Sequence, residues 1–224
     1  QIHSLEVADM DDDGDDDIIT ATYGQNYVKL YDNINNASSW SENNLISFTR
    51  PRYVLAEDMN DDGKLDILVG GGSGIYDFSV LHQGSNHKSY TEHVITSELI
   101  DPMAFVPFDK DNDNDLDAMV AGTSGSQLVI VNTTDESTPS HEIIWLADGG
   151  VKDIRGMDYH DMDGDGDLDV IFCAYGTGYI GWMENDGTPF NKAGKLYKIG
   201  SVGNPIEIMA ADIDGDDDKD VAVL

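Results

Sequence analysis

The sequence predicts an all-β fold, a β-propeller built of four-stranded blades of about 50 residues, with four full repeats and the first hairpin of a fifth. Three observations carry that expectation. A nine-residue pattern with side-chain oxygens at positions 1, 3, 5 and 9 occurs five times, as Asp9 to Asp17, Asp58 to Asp66, Asp109 to Asp117, Asp161 to Asp169 and Asp212 to Asp220. Successive copies stand 49, 51, 52 and 51 residues apart, a period that belongs to solenoids, propellers and arrays. Each copy leads at once into an apolar run that is too continuous for a half-exposed strand.

The elements follow in order within each repeat. A first strand precedes each loop, at Leu5 to Ala8, Tyr53 to Ala56, Met103 to Phe108, Ile154 to Tyr159 and Ile206 to Ala210. The second, expected to be buried on both faces, is Ile18-Ile19, Ile67 to Val69, Ala118 to Ala121, Val170 to Ala174 and Val221 to Leu224. Tyr23-Gly24, Gly70 to Gly72, Gly122 and Tyr175-Gly176 mark a turn. The third strand shows alternating apolar pairs, Val28/Leu30, Phe78/Val80, Leu128/Ile130 and Ile180/Trp182. The fourth covers Leu45 to Phe48, His93 to Ile95, Ile143 to Leu146 and Leu196 to Ile199. No segment carries a helical apolar period, so almost no helix is expected. The repeats run 1–49, 50–101, 102–152 and 153–204, with a partial repeat at 205–224, all within one propeller or propeller segment. The chain begins inside the repeat pattern without a signal peptide, which implies a processed or partial chain.

The 224 residues are 40% apolar, enough for a core, yet carry a formal charge of −32. Of the 44 acidic residues, 27 lie inside the five loops, so the excess belongs to candidate metal sites rather than to a disordered tail. One divalent ion per loop would bring the charge to about −22. That acidity excludes nucleic acid and anionic membranes as partners, and no run of 18 apolar residues exists to insert into a membrane. The single cysteine, Cys173, excludes an internal disulfide and reads as a buried small hydrophobe. Sequons at Asn36 and Asn132 fall in predicted loops where N-glycans attach if the protein is secreted by a eukaryote.

Carboxylates at positions 1, 3, 5 and 9, with glycine at position 6 for a sharp turn, make a cage of hard oxygens that suits Ca2+, up to five ions in all. An EF-hand would need a bidentate Glu at position 12, but Thr20, Val69, Val120, Phe172 and Val223 stand there. A glycosidase pair would need two carboxyls in unlike environments, so the loops are not expected to be catalytic, and the protein is read as no enzyme. The histidines His3, His82, His87, His93, His141 and His160 lack metal spacing and read as exposed polar residues. Gly70 to Gly74 lacks the Lys-Ser/Thr and helix of a phosphate loop and reads as a tight turn. Trp40, Trp145 and Trp182 are candidates for stacking on sugars, but Trp145 and Trp182 sit on strand patterns that favour blade packing.

The acidic pattern followed by a β-branched run, the stretch Gly178 to Gly187 (Gly-Tyr-Ile-Gly-Trp-Met-Glu-Asn-Asp-Gly) and the segment Tyr90 to Ile95 resemble the FG-GAP/VCBS repeats over the whole chain. That resemblance implies a propeller whose hairpin loops bind calcium, as in integrin α-chain heads and some fungal lectins, in an extracellular setting. The ligands it implies are Asp9, Asp11, Asp13 and Asp17 with the Asp15 carbonyl; Asp58, Asn60, Asp62 and Asp66 with the Lys64 carbonyl; and Asp109, Asp111, Asp113 and Asp117 with the Asp115 carbonyl. The last two loops supply Asp161, Asp163, Asp165 and Asp169 with the Asp167 carbonyl, and Asp212, Asp214, Asp216 and Asp220 with the Asp218 carbonyl. Asn114 and Asp217 replace glycine at position 6, and Asn60 removes one charge, so these three loops are expected to bind more weakly. The resulting expectation is a secreted or cell-surface module, calcium-stabilised, that recognises a glycan or an extracellular protein in adhesion. Two other readings stand beside it: a structural subunit of an extracellular filament or coat, binding copies of itself, and the accessory propeller of a secreted hydrolase or lyase.

Overall fold

The computed structural model of the chain describes residues 1–34, 36–72, 76–99, 102–108, 116–122, 127–132, 140–145, 150–185, 195–216 and 218–224. Among them there is no helix, and hence none long and apolar enough to cross a membrane. Eighteen strands form four antiparallel sheets of four strands and one of two.

The chain divides into two compact units. The first holds β1 (Ser4–Ala8), β2 (Asp17–Thr22), β3 (Tyr27–Ile34) and β4 (Ser39–Ser47) as one sheet. Its second sheet is β5 (Pro51–Glu57), β6 (Asp66–Gly72), β7 (Tyr76–Gln83) and β8 (Tyr90–Leu99). Strands pair in chain order, so each sheet is a meander, and alternation sorts the side chains. Ile19 and Ala21 face Leu30 and Val28 across the β2–β3 register, and this face packs on Val54, Ile67, Val69 and Leu81 of the second sheet. β6 is buried throughout because Ile67 and Val69 serve that seam while Leu68 pairs with Val80 on the opposite side.

The second unit contains β9 (Pro102–Phe108), β10 (Asp117–Gly122), β11 (Gln127–Asn132) and β12 (Ser140–Trp145) as a sheet, then β13 (Ile154–His160), β14 (Asp169–Ala174), β15 (Tyr179–Met183) and β16 (Leu196–Ser201) as another. A hairpin of β17 (Ile208–Ala211) and β18 (Asp220–Val223) ends it. Met119, Ala121, Val170, Phe172 and Ala174 share one core, and Ile171 and Cys173 share another with Ile208 and Ala210. Burial pushes the Cys173 thiol up to about 11, as befits an inert core residue.

Four expectations are corrected. The run Val221 to Leu224 is not buried on both faces: Val221 to Val223 are half-buried and Leu224 is exposed, because β18 is paired with β17 alone. Ile18 is likewise only half-buried. Gly70 to Gly72 belong to β6 and Gly122 to β10 rather than to turns, and a Cβ at Gly71 would meet the Arg50 carbonyl oxygen at 2.4 Å, so close backbone approach explains that glycine. Asn132 is the last residue of β11, whereas Asn36 lies in the β3–β4 turn as expected. The side chain of Trp145 and residue Leu146 lie outside the described residues, while Trp182 packs on the Ile171 core and stacks on Tyr197.

Candidate metal centre

Each described loop leaves the end of a repeat's first strand and closes on the residue that opens the second, so position 9 is also the first strand residue, as with Asp17, Asp66, Asp169 and Asp220. The backbone turns back on itself through two left-handed residues. Gly14, Gly63 and Gly166 at position 6 have φ of 90°, 81° and 100°, while Asp12, Asp61, Gly164 and Gly215 at position 4 have φ of 59°, 53°, 80° and 84°. Only position 6 was anticipated, yet position 4 holds nothing but Asp, Asn or Gly, the residues that tolerate this conformation.

The curl makes position 1 an acceptor for the loop's own amides. Asp9 Oδ1 and Oδ2 accept the Asp13 and Gly14 N–H groups at 3.1 and 2.8 Å, and Asp58 does the same for Asp62 and Gly63 at 3.1 and 2.8 Å. Asp161 accepts from Gly164 and Gly166, and Asp212 from Gly215 and Asp216. Position 5 accepts the N–H of position 7 at Asp13, Asp62, Asp165 and Asp216, over 2.9 to 3.1 Å. The side chain of Asp15 turns away to accept the Asn36 N–H at 2.7 Å, which leaves its carbonyl as the group to face a cation.

Position 9 has a second task that the spacing alone does not reveal. Asp17 is 1% exposed; its Oδ2 accepts the Met10 N–H within the loop at 3.1 Å and its Oδ1 accepts the Asn33 N–H from β3 at 2.7 Å. Asp169 repeats this with Met162 and Asn185, both at 2.8 Å, and Asp66 takes the Gln83 N–H at 2.8 Å. The buried aspartate therefore clamps loop to third strand. Burial raises the carboxyls of Asp17 and Asp169, the latter to about 6, against the pull of those backbone bonds. At position 2, Met10 and Met59 are buried and tie the loop to the core.

Among the described residues, carboxylate oxygens converge to within 4.8 Å of one another in three loops: Asp9, Asp11 and Asp13; Asp161, Asp163 and Asp169; Asp212, Asp214 and Asp220. Each carboxylate oxygen has a second lone pair beyond the one spent on an amide, so the donor set fits a hard divalent cation. In the second loop Lys64 bonds Asp62 at 2.7 Å and holds its carboxyl below the usual range, while Asn60 stands beside His82. Asp109, Asp111, Asp113, Asp115, Asn114 and Asp217 lie outside the described residues; Asp117 is buried at the head of β10.

Four histidines, His82, His87, His93 and His160, are half-buried rather than exposed, and two of them, His82 and His87, are neighbours of the loops. His82 Nδ1 lies 2.9 Å from Asp66 Oδ2, and its ring meets His93 edge-on at 4.9 Å. His87, in the β7–β8 turn, stands between Asp11 and Asp32 at 3.6 and 3.4 Å. Burial would raise Asp32, but bonds from Lys88 and His87 hold it below the usual range. A cleft of about 490 Å³ opens here, between the first loop and residues Lys64, Gln83, Asn86 and His87 of the next repeat.

The profile of the FG-GAP-like repeat family matches residues 9–69 and 161–223, together more than half of the chain. No curated protein matches the sequence. Among solved structures the chain is similar to an Agrocybe aegerita lectin that specifically recognises non-reducing terminal N-acetylglucosamine, with 17% identity and a TM-score of 0.59 over 98% of this chain and 60% of the lectin. It is also similar to the V. cholerae biofilm matrix protein Bap1, with 16% identity and a TM-score of 0.54 over 99% of this chain and 34% of that one. The chain thus spans well under two thirds of either protein, and at these identities the likeness is one of fold.

Proposed function

Because the chain belongs to the FG-GAP-like repeat family, we propose that it is a calcium-stabilised binding module, its sheets the blades of a propeller, that recognises a glycan or protein in adhesion outside the cell. The observation that carries this reading is the recurrence of converging carboxylates in three described loops, in each of which position 1 accepts loop amides, position 5 accepts the amide of position 7 and position 9 accepts that of position 2. A cage that recurs from hairpin to hairpin is a way of stabilising hairpins, not of distributing chemistry, so the protein acts by binding rather than by catalysis. Extracellular calcium would fill such cages and cytosolic levels would leave them empty, which fits a secreted or surface setting. A lectin and a matrix protein among the structural neighbours support glycan or protein recognition as the use of the scaffold.

When bound, calcium would supply charge neutralisation at each cage. The chain's own residues do the rest: position 1 orders the loop amides, Asp17, Asp66 and Asp169 at position 9 join their loops to the third strand or the residue beyond it, and Met10 and Met59 at position 2 seat theirs on the core. The test is a glycan-binding screen in about 1 mM calcium, a level that fills sites of extracellular affinity, and again with chelator. Binding that appears only with calcium supports the reading. Equal binding in chelator would sink the calcium-dependent scaffold, and growth into regular assemblies with no glycan bound would favour a structural subunit.

A further inference from the structure

In the first, second and fourth repeats, the end of the third strand brings to the loop a residue that the nine-residue pattern does not contain. Asp32 lies 23 residues after Asp9 and Glu184 lies 23 after Asp161. His82 lies 24 after Asp58, because the β6–β7 hairpin is one residue longer than β2–β3. Asp32 stands within 4.8 Å of Asp11, position 3 of its loop, and His82 stands 3.5 Å from Asn60, position 3 of the second loop.

The first and fourth repeats both carry a carboxylate there, and they differ in what meets it. Glu184 is held within its own repeat, by Lys195 Nζ at 3.1 Å and the Tyr197 hydroxyl at 2.7 Å. Asp32 is met from the next repeat instead. His87 Nε2 stands 3.4 Å from Asp32 Oδ2, and Lys88 Nζ bonds the same oxygen. On its other side, His87 Nδ1 lies 3.6 Å from Asp11 Oδ2. One ligand atom from each of Asp11, Asp32 and His87 lies within 4.8 Å of the other two, and the three come from separate segments: the first loop, β3 and the β7–β8 turn.

We propose that Asp11, Asp32 and His87 bind a second kind of cation, a borderline divalent ion of the zinc type, beside the first acidic loop. An imidazole with two carboxylates is a zinc donor set, whereas the loops offer oxygen alone. Ligand atoms about 2.0 to 2.1 Å from a tetrahedral ion stand about 3.4 Å apart, which the separation of His87 Nε2 and Asp32 Oδ2 already matches. Asp32 is buried on a strand and His87 is half-buried, so this pair is pre-built; Asp11, on the exposed loop, is the member that turns to complete the set. Its two oxygens allow it to serve the loop and this site together. Lys88 competes for Asp32, but its side chain is 39% exposed and its long stem can carry the ammonium into solvent. The cleft of about 490 Å³, lined by Asp11 and His87 among others, gives an ion its path from solvent and leaves its fourth position to water. An ion held here would tie the first loop to the β7–β8 turn of the next repeat.

The test is calorimetric titration of Zn2+ into the protein in excess calcium, which keeps the oxygen cages supplied with their own ion. Wild type is expected to take up one zinc through this site. His87→Gln and Asp32→Asn should each weaken that uptake at least about tenfold. Lys88→Met should strengthen it about two- to fivefold by removing the competing ammonium. His160→Gln, a change to a histidine outside the cluster, should leave it unchanged. A second measurement uses the unaltered protein: Co2+ in place of zinc should shift the ring-proton resonances of His87, identified by their absence in His87→Gln. Zinc bound equally well by His87→Gln overturns the proposal, as does zinc that excess calcium displaces, since that ion would be sitting in a loop. Cobalt shifts confined to other histidines, or no zinc uptake by wild type, overturn it as well.

Discussion

The fourth and fifth acidic loops carry the same five aspartates in the same spacing, and both bring three carboxylates together, yet they are different environments. Asp169 is fully buried and holds two backbone amides, one from Met162 in the loop and one from Asn185 beyond β15. Asp220 is exposed and holds the Ile213 amide from its own loop at 3.1 Å. Met162 packs on the core beneath its loop, while Ile213 is 66% exposed. The motif supplies the oxygens; the third strand supplies the clamp and the desolvation. A cage read from sequence is therefore a statement about donors, and its strength depends on what is paired beside it.

The largest expected effect is that of calcium removal, which acts on both loops and on the others. Sites of roughly 0.1 mM in about 1 mM calcium each contribute about 1.4 kcal/mol, so five would approach ~7 kcal/mol. Chelator should lower the urea midpoint sharply, and an unmoved midpoint would refute calcium-dependent stability. Next is the clamp itself. Asp169→Ala leaves two amides of a packed region without their acceptor and should cost about 2 to 4 kcal/mol even in calcium-free protein. Asp220→Ala should cost under about 1 kcal/mol there, since its partner is solvated. Equal losses in urea denaturation would erase the distinction between the loops.

The pH dependence sharpens the same contrast. Without calcium, the carboxyl of Asp169 is raised to about 6 in the folded state by burial, so the native protein binds more protons than the unfolded chain between about pH 4 and 6. Its contribution is favourable below the unfolded value and is lost as pH rises through 6. Calcium binding reverses the demand, because the ion requires the ionised form. Affinity at the fourth loop should fall about tenfold from pH 7 to 5, as the proton competes. Calcium titrations at both pH values, in wild type and in Asp169→Ala, would show this component vanish with the residue, and a pH-independent affinity would contradict it.

Much of this was legible in the chain. Five copies of the acidic pattern located the hairpin loops, and the runs Ile67 to Val69 and Val170 to Ala174 announced strands covered on both sides. Asn33, Gln83 and Asn185 were not legible, because they offer main-chain amides rather than side chains to position 9, and a backbone donor has no sequence signature. The same limit hid His87, whose pairing with Asp11 and Asp32 joins residues far apart in sequence across two sheets. The exposure of β18 was missed for a related reason: Val221 to Val223 are as apolar as their counterparts, and what differs is the neighbour, not the strand.

The smallest effect tests whether a loop's charge can be met from within. In the second loop the Lys64 ammonium bonds Asp62, a position 5 carboxylate, where the first and fourth loops have Asp15 and Asp167 in place of the lysine. A cation entering the cage must compete with that ammonium, which is exposed and therefore only weakly held. Lys64→Met removes the competitor while keeping the main-chain carbonyl and the Lys64 amide bond to Asp62 in place. Calcium affinity at this loop should rise about two- to fivefold, corresponding to the modest worth of a surface ion pair. The stability of the calcium-free protein should change by under about 1 kcal/mol. A fall in affinity would mean that Lys64 orients Asp62 for the ion rather than opposing it, and the second loop would then be a built site instead of a weakened one.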